Sequence, residues 1–161
     1  MKQKTLALLL KAVIIGVAIC AAAVYILIIP DLGRDLAFSG EGEYAYLFTP
    51  WLIVISVTAL PIFAALVLAW LITANIEKGE PFCRNNAKYL AVISILAGID
   101  AAYFFIASAV LMAVTKVYHP GAVILVLFVC FAGAAICVAA AALSHHAYKA
   151  AALQEQSDLT I

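Results

Sequence analysis

Four long segments of this chain are almost free of charged side chains, and they constrain its fold more than any other feature. Three runs contain no charge at all, residues 12–29, 51–76 and 121–143. A fourth run, residues 89–115, contains only Asp100. About 20 apolar residues form a helix that crosses the ~30 Å hydrocarbon core of a bilayer. Because backbone amides in lipid must be bonded within their own segment, we expect transmembrane helices at about residues 6–29, 51–76, 89–115 and 121–146.

The composition excludes the main soluble classes of protein. Hydrophobic residues make up 68% of the 161 residues and charged residues 11%, and nine basic side chains balance nine acidic ones. So few charges cannot cover a soluble core of this size, and a nucleic-acid binder would need a basic excess. The sequence therefore predicts an all-α, polytopic membrane protein. We expect residues 1–161 to form one domain, an up-down bundle of four transmembrane helices with a short cytoplasmic tail.

The distribution of basic residues predicts the orientation of the chain. Seven of the nine precede or open the first helix, lie between the second and third, or follow the fourth, and only Arg34 and Lys116 lie on the other side. Basic residues favour the cytoplasmic side, so both termini are predicted to be cytoplasmic. The basic, apolar N-terminus also resembles a signal peptide, but Lys11 interrupts it and the apolar run is too long. We expect the first helix to be retained.

Asp100 is the most unusual residue, because its predicted depth is near the middle of the bilayer. A carboxylate there costs at least about 2.5–3.5 kcal/mol, so it is either neutral or paired with a cation. Lys11, about one turn inside the first helix, is the candidate cation. The functional interpretation is a relay for a proton or a substrate. The structural alternative is a single hydrogen bond between helices, which would stabilise the bundle only modestly.

Pro61 is predicted to lie at a depth similar to that of Asp100. Proline leaves the carbonyl of Val57 without its helical donor, which favours a kink in the second helix. A protonated Asp100 is one candidate donor to that carbonyl. The kink is either a functional hinge or a static bend, which is common in membrane helices.

Small residues in the fourth helix predict close packing. Gly133 and Cys137 are four residues apart, and Gly16 and Cys20 repeat that spacing in the first helix. Such spacings allow backbones to approach closely, either within the bundle or in a homo-oligomer. The first helix is therefore a candidate partner of the fourth.

The cysteines and histidines do not form a recognisable reactive site. No Cys-x-x-Cys motif occurs, and His145 and His146 are adjacent, so they point about 100° apart on a helix. No assembled nucleophile, acid–base pair or set of metal ligands is apparent. We therefore expect neither enzymatic activity nor a cofactor.

The predicted cytoplasmic link between the second and third helices has a distinctive pattern. Gly79 suits the end of a helix and Pro81 the first turn of the next. Phe82, Asn86 and Leu90 follow at four-residue steps, which would place them on one helical face. An ordinary interfacial elbow would have the same features.

At this link the sequence resembles a bacterial family catalogued as domain-of-unknown-function family 2975. The matching pattern is Gly79, Phe82, Asn86 and Leu90, and the family also tends to close with an acidic residue followed by Leu, Thr and Ile, as this chain does. The resemblance implies a small four-helix protein of the bacterial inner membrane with no established activity. Family members are often encoded beside a small helix-turn-helix regulator, which implies a transcription factor as cytoplasmic partner.

Two functional hypotheses follow. In the first, a non-enzymatic membrane protein presents its link and tail to a transcription regulator without binding DNA itself. Gly79, Phe82, Asn86 and Leu90 are the candidate docking residues. In the second, a small transporter or channel, in one version proton-coupled, uses Asp100, Lys11 and Pro61.

Overall fold

A computed structural model describes residues 3–38 and 44–158, and this part of the chain contains helices and connecting turns but no strand. The first transmembrane segment consists of two α-helices joined by a five-residue π-helical turn. Three single helices follow it. The elements are α1 (Gln3–Ala23), the π turn (Val24–Ile28), α2 (Ile29–Phe38), α3 (Ala45–Glu77), α4 (Arg84–Thr115) and α5 (Pro120–Asp158).

The helices are those of a multi-pass membrane protein. Four helical segments of the described chain are long and apolar enough to cross a bilayer, Lys4–Phe38, Ala45–Glu77, Arg84–Thr115 and Pro120–Gln156. Large apolar side chains point outward, with Leu60, Val114 and Phe131 each about three-quarters exposed. Small or polar residues are buried instead, among them Ala7, Ala87, Ala140, Thr73, Ser94 and Ser108. This distribution fits a lipid environment, where close packing of small residues holds helices together.

The helices pack in chain order. The first segment contacts α3, α3 contacts α4, and α4 makes the most extensive contact with α5. Alternating directions place the N-terminal end of α1, the α3–α4 connection and the C-terminal end of α5 at one end of the bundle, called here the termini end. The predicted up-down arrangement of four helices is confirmed.

The helices extend beyond the bounds predicted from charge. The first segment continues through Pro30 to Phe38, and α3 begins at Ala45, so Pro50 lies inside a helix. At the other end, α5 continues to Asp158 because the residues after 146 are mostly good helix formers such as Ala, Lys, Leu, Gln and Glu. A charged residue indicates where a segment leaves the hydrocarbon region, but the helix can continue beyond that residue.

A π-helical turn interrupts the first segment just before Pro30. The Ile29 amide donates to the carbonyl of Val24, five residues earlier, instead of the carbonyl four residues earlier. Proline has no amide hydrogen and its ring clashes with the preceding turn, so a helix accommodates it by local rearrangement. Beyond the turn, Gly33 of α2 faces the Phe48 ring of α3 so closely that a Cβ at Gly33 would lie 3.1 Å from it.

The most extensive helix–helix contact joins α4 and α5. A Cβ added to Gly133 would lie only 2.9 Å from the Ala101 Cβ, and the Ser94 hydroxyl donates to the Cys137 carbonyl at 2.9 Å. The predicted small-residue packing of the fourth helix therefore occurs within the chain. Its partner is α4, however, and not the first helix, since Gly16 has nothing within 4 Å of its added Cβ. The Gly16–Cys20 spacing does not mark a contact with α5.

Candidate functional site

Asp100 and Pro61 lie on facing helices in the wall of one groove. The groove has a volume of about 420 Å³ and runs between α3 and α4. Its lining residues are Val57, Leu60, Pro61, Ala64, Leu96, Ile99, Asp100 and Tyr103. The similar depths of Asp100 and Pro61 in the sequence thus correspond to proximity in the fold. Helix α3 is continuous through Pro61, and a hinge there stays a prediction.

The Asp100 carboxyl group has a buried oxygen atom that lacks a hydrogen-bond donor. Its Oδ1 atom is buried and has no hydrogen-bond partner, a condition shared among the described residues only by the Ser108 hydroxyl. Val57 lines the same groove, but this oxygen makes no bond to the Val57 carbonyl, so the predicted use of Asp100 as its donor is not observed. A buried carboxyl oxygen without a donor is costly to maintain in a membrane interior.

Tyr25 belongs to the same polar region, and its role was not apparent in the sequence. It lies in the π turn, and its hydroxyl is 2.6 Å from the Thr58 Oγ1 atom of α3. Thr58 Oγ1 also donates to the Ile55 carbonyl at 2.6 Å. A hydroxyl group has one hydrogen, so Thr58 must accept the bond from Tyr25. Tyr25 is within electrostatic range of Asp100, but its own hydrogen is directed to Thr58.

Lys11 does not pair with Asp100, contrary to the candidate pairing drawn from the sequence. It forms an ion pair with Glu77 at the end of α3, and its Nζ atom lies 5.3 Å from the centroid of the Trp70 ring. The first segment runs antiparallel to α3, so a residue near the start of α1 meets the end of α3. Asp100 lies near the middle of α4, so Lys11 pairs with Glu77, which is closer to it.

The turn that ends α3 has the predicted geometry at Gly79. This residue has a φ of 90°, in the left-handed region. Its amide donates to the Ile76 carbonyl at 3.1 Å, and the Glu80 amide donates to the Asn75 carbonyl at 3.0 Å. These two bonds form a Schellman motif, which satisfies carbonyls at the end of the helix. Gly79 therefore has a structural role at this position.

Asn86, in the first turn of α4, is buried against the connection between α3 and α4, residues 78–83, called here the elbow. Its side chain is 1% exposed and accepts a 2.8 Å hydrogen bond from the Asn75 side chain. Its amide group donates to the Pro81 carbonyl at 3.0 Å and is 3.4 Å from the Glu80 carbonyl. One side chain thus fixes the end of α3, the elbow and the start of α4 relative to each other.

The prediction that Phe82, Asn86 and Leu90 share one helical face is therefore wrong, while docking by these residues stays a prediction. Helix α4 begins at Arg84, with Cys83 extended before it, so Pro81 and Phe82 lie outside the helix. Asn86 is buried and Leu90 is half-buried. Of the docking residues predicted at four-residue steps, Phe82 is the one with a largely exposed side chain, at 54%.

The C-terminal part of α5 lies beside the elbow. Arg84 donates to the Glu155 carboxylate at 2.8 Å, and its guanidinium carbon lies 5.7 Å from the centroid of the Tyr148 ring. Ser144 donates to the Ala87 carbonyl at 2.8 Å. The elbow, the start of α4 and residues 144–155 of α5 form a continuous surface, called here the elbow–tail surface.

A shared metal site is not present in residues 3–38 and 44–158. No three His, Cys, Asp or Glu side chains in these ranges lie close enough to hold one ion. The four cysteines are free thiols, and Cys137 packs against Gly98, where an added Cβ would lie 3.2 Å from its sulfur.

One family model matches the chain over residues 32–161, and its description is "Protein of unknown function (DUF2975)". The matched region includes the Asp100 groove, the elbow and the C-terminal part of α5. It begins after Tyr25. No curated protein and no solved structure matches the chain.

Proposed function

The chain belongs to the DUF2975 family of unknown function, and on this premise we propose that it is a non-enzymatic regulatory membrane protein that docks a cytoplasmic partner on its elbow–tail surface. The partner class comes from the resemblance found in the sequence, a small helix-turn-helix transcription regulator. In this proposal the protein lies in a bacterial inner membrane with its termini end in the cytoplasm. The regulator, and not this chain, binds DNA.

The observation that supports docking is an exposed aromatic side chain on a preformed turn. Phe82 is 54% exposed, and the elbow that carries it is fixed by the buried Asn86. A surface that is ordered before binding loses little conformational entropy when a partner arrives. Exposed aromatic residues also tend to contribute much of the binding energy at protein interfaces. Phe82 is therefore the proposed anchor of the docking surface.

Charged side chains around Phe82 would define the orientation of the partner. Arg84 and Glu155 are each about half exposed although they form an ion pair, so both retain accessible polar atoms. Such rim charges affect the rate and selectivity of association more than its strength. Their pairing across α4 and α5 also makes the surface depend on both helices.

Membrane capture of the regulator tests this proposal. A small helix-turn-helix regulator of the kind often encoded beside members of the family is fused to a fluorescent protein, and its membrane-bound fraction is measured with the wild-type chain, with Phe82→Ala and with residues 155–161 deleted. Both changes should release the regulator from the membrane. Tyr118→Ala is the matched control, because Tyr118 is a 64% exposed aromatic residue at the opposite end of the bundle. Equal capture by all four chains would refute docking at this surface.

A second candidate function, a small transporter or channel, is supported by the groove that holds Asp100 beside Pro61. In this proposal Asp100 exchanges a proton or substrate, and α3 bends at Pro61. Proteoliposomes containing the wild-type chain should show flux that is lost with Asp100→Asn, while the helical content is retained. Absence of flux in both would eliminate this function and leave the docking proposal unaffected.

A further inference from the structure

We propose that the groove between α3 and α4 binds a lipophilic monovalent organic cation, with the Asp100 carboxylate as its counter-ion. This proposal goes beyond partner docking and names a ligand class for the second candidate function. Its physiological meaning rests on that function. Binding itself requires no transport. It can therefore be measured at equilibrium, separately from flux.

The charges and donors around Asp100 support a cationic ligand. Its buried Oδ1 atom has no partner, and Lys11 is paired with Glu77. Tyr25 directs its hydrogen to Thr58, and the Tyr103 hydroxyl, although it lines the same groove, does not donate to this oxygen. The described neighbours thus leave the carboxylate without a compensating charge. A buried carboxylate is stable when a cation pairs with it.

The volume beside Asp100 distinguishes an organic ligand from a proton. A proton would neutralise the carboxyl group but needs none of the groove's volume of about 420 Å³, whereas an organic cation can occupy it. Pockets for small organic molecules are about 300–1,000 Å³ and mostly apolar, with a few polar groups. Here Asp100 is accompanied mainly by aliphatic side chains, and Tyr103 contributes an aromatic ring. Organic cations bind favourably near such rings.

The groove opens toward the hydrocarbon region, which determines that the ligand is lipophilic. Leu60 and Ile99 line it and are 74% and 62% exposed on the outer surface of their helices. A ligand that enters between them must first dissolve in the membrane. A small hydrated ion such as Ca²⁺ needs about six to eight oxygen ligands, whereas the side chains lining this groove provide one carboxylate and one phenol.

Equilibrium binding to the full chain in lipid nanodiscs tests the proposal. The probe is radiolabelled tetraphenylphosphonium, with tetraphenylborate as an anion of similar shape. Three variants are compared with the wild type. Asp100→Asn removes the charge at nearly constant volume, Ala64→Phe fills the groove and keeps the charge, and Asp31→Asn removes an exposed acid elsewhere.

The wild type and Asp31→Asn should bind the cation saturably, and the affinity should fall at least tenfold in Asp100→Asn and in Ala64→Phe. The anion should show no saturable binding. Equal cation affinity in Asp100→Asn would overturn the proposal, as would equal saturable binding of the anion. Circular dichroism and size-exclusion chromatography establish that each variant is folded. If Asp100→Asn does not fold, Ala64→Phe decides the result, because unchanged binding there would also overturn the proposal.

Discussion

Asn75 at the end of α3 donates a hydrogen bond of 2.8 Å to the buried Asn86 near the start of α4. The same Asn86 side chain donates to the elbow backbone at Pro81, so it joins three consecutive elements. A buried amide with these partners is a structural centre of the termini end. Its position explains how a turn of only six residues, 78–83, holds a fixed conformation between two long helices.

Asn86→Leu should destabilise this end of the protein. The change leaves the Asn75 amide and the Pro81 carbonyl without their partner, and an unsatisfied buried polar group costs about 1–3 kcal/mol. Reversible unfolding in mixed micelles should show a free energy of unfolding lower by about this amount. Asn85→Leu is the matched control, since Asn85 is the exposed neighbour and should change stability little. Equal effects at the two positions would contradict the role assigned to Asn86.

Gly133→Ala should separate α4 and α5. The added Cβ would lie 2.9 Å from the Ala101 Cβ, and neither group can rotate away. Overpacking of this kind costs about 1–3 kcal/mol, which the same unfolding measurement detects.

Two further variants check this interpretation of the Gly133 contact. Gly16→Ala is the control, because nothing lies within 4 Å of its added Cβ. The double variant with Gly133→Ala and Ala101→Gly transfers the methyl group from one helix to the other and should recover most of the lost stability. A double variant as unstable as Gly133→Ala alone would show that the clash lies elsewhere.

The Lys11–Glu77 pair should determine how the first segment joins α3. Lys11→Glu places two negative charges together and should lower the stability of the protein, whereas combining it with Glu77→Lys should restore much of the loss. Lys149→Glu, on α5, reverses a basic charge away from Glu77 and serves as the control. The measurement is the resistance of the folded protein to unfolding by detergent at low salt. Strictly additive effects of the two changes would argue against the pair.

The predicted orientation can be tested with thiol labelling. Cys83 in the elbow is partly exposed and lies at the termini end. A membrane-impermeant maleimide should label it in inverted inner-membrane vesicles and not in intact cells. In a background lacking Cys83, Tyr118→Cys should show the reverse pattern, because position 118 is exposed at the opposite end. Labelling of Cys83 from outside intact cells would invert the predicted topology.

The sequence was sufficient for the number of membrane-spanning helices, because charge-free runs directly reflect the solvent around them. It also identified the depth shared by Asp100 and Pro61 and the left-handed turn at Gly79. These properties depend on distance along one helix or on one local conformation. Each can be read without knowing which helices are neighbours.

Contacts between helices were harder to predict. Its position about one turn inside the first helix makes Lys11 the candidate cation for Asp100, but the structure pairs it with Glu77. Asn86 was placed on a docking face because of its four-residue spacing, although tertiary contacts bury it. Tyr25 gave no signal, since an isolated tyrosine in an apolar run is common. Only the Pro30 nearby, which favours a helix irregularity, was a usable clue.

The π turn before Pro30 keeps both halves of the first segment in phase with α3. At about 100° per residue, the eight-residue step from Tyr25 to Gly33 would rotate a regular helix by about 80° beyond whole turns. The extra residue that a π turn accommodates removes about 100° of this rotation, so Gly33 can face Phe48 while Tyr25 faces Thr58. Deleting one residue between Tyr25 and Gly33 would leave a seven-residue step, which a uniform helix turns by about 700°, within about 20° of two whole turns, so both halves would keep their alignment with α3 without a π turn.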